Sequence, residues 1–298
     1  NQRSETEPTV EIIELARALE DDPLIMLDYV HNYFDYVPTF GSGNSATATL
    51  KAGRGNDWDL ASLLIALLRQ SGYTANYVVG DVWYPLERCA NWLGVEPDLY
   101  VVGDAFARGG IPVSISTQFN TVLITRVWVE VEFSSSTYIF DPAMKDYTHL
   151  TGIDLGAAAG INISSFLTNA LDGATQGTHF VQNLNELNIR GDMSSFTSNL
   201  VNHIQTDIPD AHLDEVIGGR RIVQLETSAY PTELPFANSV VSETVYSEIP
   251  DNYRHTSQIQ HEGINETFYT YELTGKRVSI VYNGANEPEL YLDGTLIA

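Results

Sequence analysis

Gly55-Asn-Asp-Trp-Asp-Leu-Ala-Ser-Leu-Leu-Ile-Ala-Leu-Leu-Arg-Gln-Ser-Gly72 is the stretch whose reading decides the fold. Leu60, Ala61, Leu63, Leu64, Ile65, Leu67 and Leu68 surround a helix over residues 58–70 with apolar side chains on nearly every side. A surface helix carries one apolar stripe, whereas a helix apolar all round is buried, so this one is the expected spine of a domain. Asn56 or Asp57 caps its free N–H groups, with Asp57 favoured by the preference of aspartate for that place.

Upstream, Ile12, Leu15, Ala16 and Leu19 recur at i, i+3, i+4 and i+7, the stripe of an amphipathic helix. Asp22-Pro23 begins a second helix, with Met26, Tyr29, Val30 and Tyr33 on one face. Gly41-Ser-Gly-Asn-Ser45 reads as a flexible loop. Downstream the repeat becomes that of strands. Residues 74–83 are β-rich, with Gly80 a bulge candidate. Within 121–133, Val127, Val129, Val131 and Phe133 face one way, and Arg126, Trp128, Glu130 and Glu132 the other. Residues 138–141 form a short return strand stopped by Pro142, and two short helices, 86–93 and 99–108, lie between the long strands.

After residue 155 the composition shifts to Gly, Ala, Ser and Asn, with helical signals over 163–171, 184–204 and 213–217. From Ile222 the chain is mostly strand, punctuated by Pro231, Pro235, Pro250 and Asn283-Gly284. The expected fold class is α+β. Residues 1–155 form a domain with a buried helix packed on an antiparallel sheet. Residues 156–219 form a helical bridge, and residues 220–298 a mainly-β domain.

Charge and composition exclude several function classes. The 298 residues carry 39 acidic and 15 basic side chains, a net charge of −24, which argues against nucleic acid or anionic membrane as a partner. The longest nearly apolar run, residues 60–68, is far shorter than the ~20 residues that span a bilayer, so no membrane insertion is expected. The N-terminal residues lack the layout of a signal peptide, and the chain reads as a mature fragment or a piece of something longer. Cys89 is the one cysteine and reads as a small hydrophobe on a short helix, so neither a disulfide nor a Cys-rich metal site is expected. Seven histidines show no zinc spacing and no calcium-loop motif occurs, so neither a metal nor a cofactor is expected. Arg190-Gly-Asp192 is a chance-level adhesion tripeptide inside a helical stretch.

Three segments together resemble the transglutaminase-like superfamily: Gly55 to Gly72, then Arg126-Val-Trp-Val-Glu130, then Phe140-Asp-Pro142. The family pattern is Gly-x-Cys-x-Asp-x-Ala-x-Leu-Leu, then His-x-Trp-Val-Glu, then Asp-Pro, and the resemblance covers residues 9–147. It implies a papain/transglutaminase-like domain. Asp28-Tyr-Val-His-Asn32, Asn91-Trp-Leu-Gly-Val95 and Asp141-Pro-Ala-Met-Lys145 narrow it to the domains of very large bacterial surface proteins that carry RHS/YD repeats. Leu234-Pro-Phe236, residues 249–255, Leu273-Thr-Gly-Lys-Arg277 and residues 292–297 look like the β module that follows in that group. An extracellular or cell-surface location is therefore implied by the resemblance.

In active members a thiolate at the helix N-terminus is served by a strand histidine, which an aspartate orients. Here Asp57 stands at the cysteine position and Arg126 at the histidine position, and only Asp141 is kept. Arginine cannot act as a base near neutral pH. The expectation is a vestigial triad, Asp57–Arg126–Asp141, salt-bridged because a guanidinium fork can bond two carboxylates. An acid/base pair of Asp57 and Asp141 is the sharper alternative, opposed by the arginine, which would depress both pKa values. Trp58, Trp128 and Glu130 are groove candidates, with Glu130 expected to form an ion pair on the face of Arg126. The resulting reading is a non-catalytic structural or binding module of a large exported bacterial protein. Its partner would be a peptide-like segment or other domains of the same protein. The alternative is a hydrolase or acyl transferase acting on amide or glycosidic bonds through other residues.

Overall fold

A computed structural model describes residues 5–298. The described residues divide into two compact units, 5–146 with 222–298, and 147–221.

The first unit opens with α1 (Val10–Ala18) and α2 (Pro23–Tyr33). Asp22 caps α2 by accepting from the N–H groups of Leu24 and Ile25, with Pro23 at the first helical position. Met26, Leu27, Val30 and His31 form the inner face of α2, while Tyr33 of the expected stripe is 67% exposed. The buried face is rotated by one residue from the aromatic reading. β1 (Asp35–Tyr36) pairs in parallel with β2 (Arg54–Gly55), and α3 (Ala46–Ala52) lies between them in sequence.

α4 (Asp57–Gln70) is buried at every residue from Asp57 to Leu68, as its apolar girdle requires, and it packs on α1, α2, α3 and the sheet. Its cap is Asn56, whose side chain accepts from the Asp59 N–H, and Asp57 is the first helical residue. The expected flexible loop at 41–45 is instead pinned: Asp59 accepts from the N–H groups of Gly43 and Asn44, and Ser42 is fully buried.

β3 (Thr74–Pro85), α5 (Leu86–Leu93), α6 (Leu99–Arg108), β4 (Val113–Ser116), β5 (Thr121–Phe133) and β6 (Ser136–Phe140) complete the N-terminal segment. β3 and β5 pair antiparallel along their length, from Thr74↔Glu132 to Pro85↔Thr121. On the far edge of β5, β4 takes residues 121–124 and β6 takes 129–133, which leaves 125–128 uncovered by strand. The expected alternation holds at Val127, Val129 and Val131, but Arg126 and Trp128 are also buried, so the middle of β5 is covered on both faces.

The second unit contains β7 (Tyr147–Leu150), α7 (Leu155–Ala158), α8 (Ile163–Leu171), the hairpin β8 (Thr175–Gly177) and β9 (Phe180–Gln182), α9 (Glu186–Asp207), α10 (Leu213–Ile217) and β10 (Gly219–Ile222). Its small buried set includes Ala159, Ala170 and Val216.

The chain then returns to the first unit. β11 (Ser239–Tyr246) adds antiparallel to β3, giving the order β11-β3-β5-β4, with a bulge between Val240 and Ser242. A hairpin of β12 (Thr256–His261) and β13 (Ile264–Tyr269), a short α11 (Thr270–Leu273) and a sheet of β14 (Val278–Tyr282), β15 (Pro288–Leu292) and β16 (Thr295–Leu296) follow. The sequence predicts boundaries near 155 and 220. The structure divides at 146 and 222, and β11 makes residues 222–298 part of the N-terminal unit rather than a body of their own.

Candidate functional site

The site grows from the gap on the β5 edge. With no strand against residues 125–128, the N-terminus of α4 and the turn after β6 meet the middle of β5 there. Arg126 is 1% exposed. Its Nη2 lies 2.7 Å from Asp141 Oδ1, its Nη1 donates to the Tyr84 hydroxyl at 2.9 Å, and its Nε stands 3.6 Å from Asp57 Oδ2. The three expected triad positions are therefore together. The fork is uneven: Asp141 receives a hydrogen bond, and Asp57 a longer charge contact.

Aromatic rings complete the enclosure. The Arg126 guanidinium sits 5.0 Å from the ring centre of Trp92, which stacks on Tyr36 at 4.1 Å. The Tyr36 hydroxyl donates to Asp57 Oδ1 at 3.4 Å, and the Trp92 indole N–H donates to the Ala143 carbonyl. Asp141 Oδ1 also accepts from the N–H groups of Ala143 and Met144, which orders the Asp141-Pro142 turn.

Burial governs the electrostatics. It pushes the Asp57 carboxyl up to about 6, against the pull of Arg126, so the expectation that arginine would depress this pKa is overturned. Burial opposes the Arg126 charge too, but Asp141, Tyr84 and Asp57 outweigh it, and the cation is held. Cys89 lies fully buried on α5, and desolvation pushes its thiol up to about 12. A neutral thiol is a poor nucleophile.

The groove candidates separate. Trp58 is fully buried, with Tyr253 stacked on it at 4.8 Å and Phe40 edge-on. The segment carrying Tyr253 is fastened over it. The Ser42 N–H donates to the Tyr253 carbonyl, the His255 N–H donates to the Ser42 carbonyl, and Arg254 pairs with Glu5 at 2.6 Å. Trp128 is buried but lines a cleft beside β11. Glu130 makes no ion pair with Arg126, contrary to expectation. Burial, and after it the charges of Glu132 and Glu243, raise its pKa.

Sequence reasoning missed Lys145. Its buried amine donates to the carbonyls of His31, Val30 and Pro142, fastening the C-terminus of α2 to the Asp141 turn. Desolvation pushes it down to about 7. Asp28 and Asn32 do more than mark the resemblance. They bind the returning chain, Asp28 accepting from Thr227 and Asn32 exchanging hydrogen bonds with Leu225. The Asp-Tyr-Val-His-Asn spacing was the available signal, because it puts three polar groups on a buried helix end. Among the described residues no group of three His, Cys, Asp or Glu side chains could hold a metal ion, and no helix is long and apolar enough to cross a membrane.

Residues 9–142 match the model of the transglutaminase-like superfamily, and this segment is a transglutaminase-like domain. No curated protein and no solved structure matches the chain.

Proposed function

We propose that the transglutaminase-like domain of this chain is non-catalytic and serves as a structural or binding part of a large exported bacterial protein. The observation that carries the reading is the buried Asp57–Arg126–Asp141 cluster at the positions where the family pattern has Cys, His and Asp. A guanidinium cannot take a proton from a nucleophile, and a carboxyl that burial keeps partly protonated is a poor acyl acceptor. The Tyr253 segment supports the same reading, since it covers Trp58 beside the old nucleophile position. The acidic charge, the lone cysteine and the resemblance of residues 28–32 and 141–145 to bacterial surface proteins support the exported setting.

A hydrolase reading draws on the Asp57 carboxyl, which near pH 6 holds a proton to donate. It lacks access: Asp57, Arg126 and Asp141 are all buried. The test is an acyl-transfer and peptidase assay with a glutamine donor peptide and an amine acceptor, run beside iodoacetamide labelling. No turnover and only slow labelling of Cys89 in the folded state are expected. Turnover lost on Asp57→Ala would overturn the proposal.

A further inference from the structure

Away from the triad, a cleft of about 570 Å³ opens beside β11, walled by Trp128, Ile139, Glu233, Leu234, Val241 and Glu243. Three observations there are independent of one another. The first is the strand itself. β11 bonds to β3 on one side, and among the described residues no strand bonds to the other. Its residues are exposed from Ser239 to Val245, valines 240, 241 and 245 included. Such an edge presents unpaired N–H and C=O groups and apolar side chains that an added strand can complete.

The second observation is charge. Glu233 and Glu243 line the cleft, and Glu130 is close enough to Glu132 and Glu243 to be affected by both. Among the described residues none of these four carboxylates is in an ion pair. Like charges left together without a cation repel, and a cationic ligand relieves that repulsion. The third is Trp128, which is buried with an indole N–H that has no acceptor. Its ring lies against Gly80, where an added Cβ would come within 2.7 Å of it. The end of the ring that reaches β3 is Cη2, so the ring forms an apolar floor of the cleft beside β11.

We infer that this cleft binds an extended peptide segment bearing lysine or arginine side chains, which adds as a strand to β11 and sets its cations beside Glu233 and Glu243. The inference rests on the binding role proposed above and names the partner's chemistry. A second copy of the chain does not fit, because each copy carries a net charge of −24.

The probe is a fluorescein-labelled, acetylated octapeptide of alternating lysine and valine, titrated against the full chain by anisotropy. Its glutamate–valine counterpart is the control. The lysine peptide is expected to bind saturably and to weaken in about 0.5 M salt, and the glutamate peptide not to bind. Glu243→Lys, on an exposed strand, is expected to weaken binding by at least about tenfold. Backbone amides in 239–246 are expected to exchange more slowly in the complex. Equal binding of the two peptides, no binding of the lysine peptide, unchanged affinity in Glu243→Lys, or protection only elsewhere would each overturn the inference. None of these results bears on acyl transfer, so the non-catalytic reading fails or survives by its own assay.

Discussion

Two helices of this molecule were made by different physics. α4 has 14 residues and is buried from Asp57 to Leu68, whereas α9 has 22 residues and none of them is buried. α4 is held by what surrounds it: α1, α2, α3, β3 and β5 all pack on its sides. α9 instead rests one half-covered face on α7 and α8, with Phe196 against Phe166 at 6.0 Å and Asn199 donating to the Ala159 carbonyl. Its other face is open: Ser195, Thr197, Ser198 and Thr206 turn back to carbonyls four residues before them, which adds no net support, and Arg190 pairs with Glu186 in solvent. Exposed pairs of that kind contribute about 0.3–0.5 kcal/mol, while one buried leucine contributes several times more. Helix length therefore says little about where stability resides. A polar substitution should damage one helix and barely register in the other.

The sharpest way to break the contrast is at the α4 terminus. Arg126→Ala removes the cation between two buried carboxylates, with an expected loss of about 3–5 kcal/mol. Adding Asp57→Ala should recover part of it, because one of the uncompensated groups goes as well. Urea midpoints of the two single variants and the double decide this. An arginine variant that melts like the parent would mean that the cluster does not hold α4 to the sheet.

Next in size is Leu64→Ala in the middle of α4, where the side chain is fully buried. The expected loss is roughly 3 kcal/mol, from lost transfer energy and the cavity left behind. Leu187→Ala in α9, where the side chain is 82% exposed, should stay within about 0.5 kcal/mol. Similar losses at the two sites would erase the comparison.

The spine was readable in advance because a girdle of apolar residues has one physical meaning. The limits of α5, α6 and β5 followed for a similar reason: glycine ends the helices and β-branched alternation marks the strand. The triad was legible through spacing, since Asp57, Arg126 and Asp141 occupy the three positions of a family pattern. What could not be read depends on contacts distant in sequence. Tyr253 covers Trp58 from the far end of the chain, and β11 joins β3 across the intervening unit. Glu130 illustrates the same limit, because alternation names its face but not the glutamate that β11 brings beside it. The Asp57 pKa is set first by its depth of burial, which the spacing to Arg126 does not reveal.

A smaller effect sharpens the comparison through pH. Burial raises the Asp57 carboxyl from 3.8 to about 6 in the folded chain. The native state therefore holds a proton that the unfolded chain releases between those values. The stabilisation is complete below 3.8 and is lost as pH rises through about 6. Lys145 runs the other way: its contribution is present above 10.5 and lost as pH falls through about 7. Measuring below that range isolates the carboxyl. From about pH 4 to about pH 6.5, Asp57→Asn should gain on the parent by about 1–3 kcal/mol. A constant difference across that window would place Asp57 in contact with water.

The smallest expected effect has the opposite sign and belongs to α9. Gly191 sits inside that helix, and a Cβ built there meets no atom within 4 Å. Glycine in a helix interior costs about 0.5–1 kcal/mol relative to alanine, because its unfolded chain has more conformations to lose. Gly191→Ala should therefore stabilise α9 by that amount, read as slower amide exchange across residues 186–207. Gly80 in β3 is the control, since a Cβ there would approach the Ser242 carbonyl oxygen to 2.3 Å as well as meeting Trp128. Gly80→Ala should destabilise, because a backbone atom cannot step aside as a side-chain tip can. Destabilisation by Gly191→Ala would mean that the open face of α9 carrying Gly191 is covered in solution, and that face would no longer set it apart from α4.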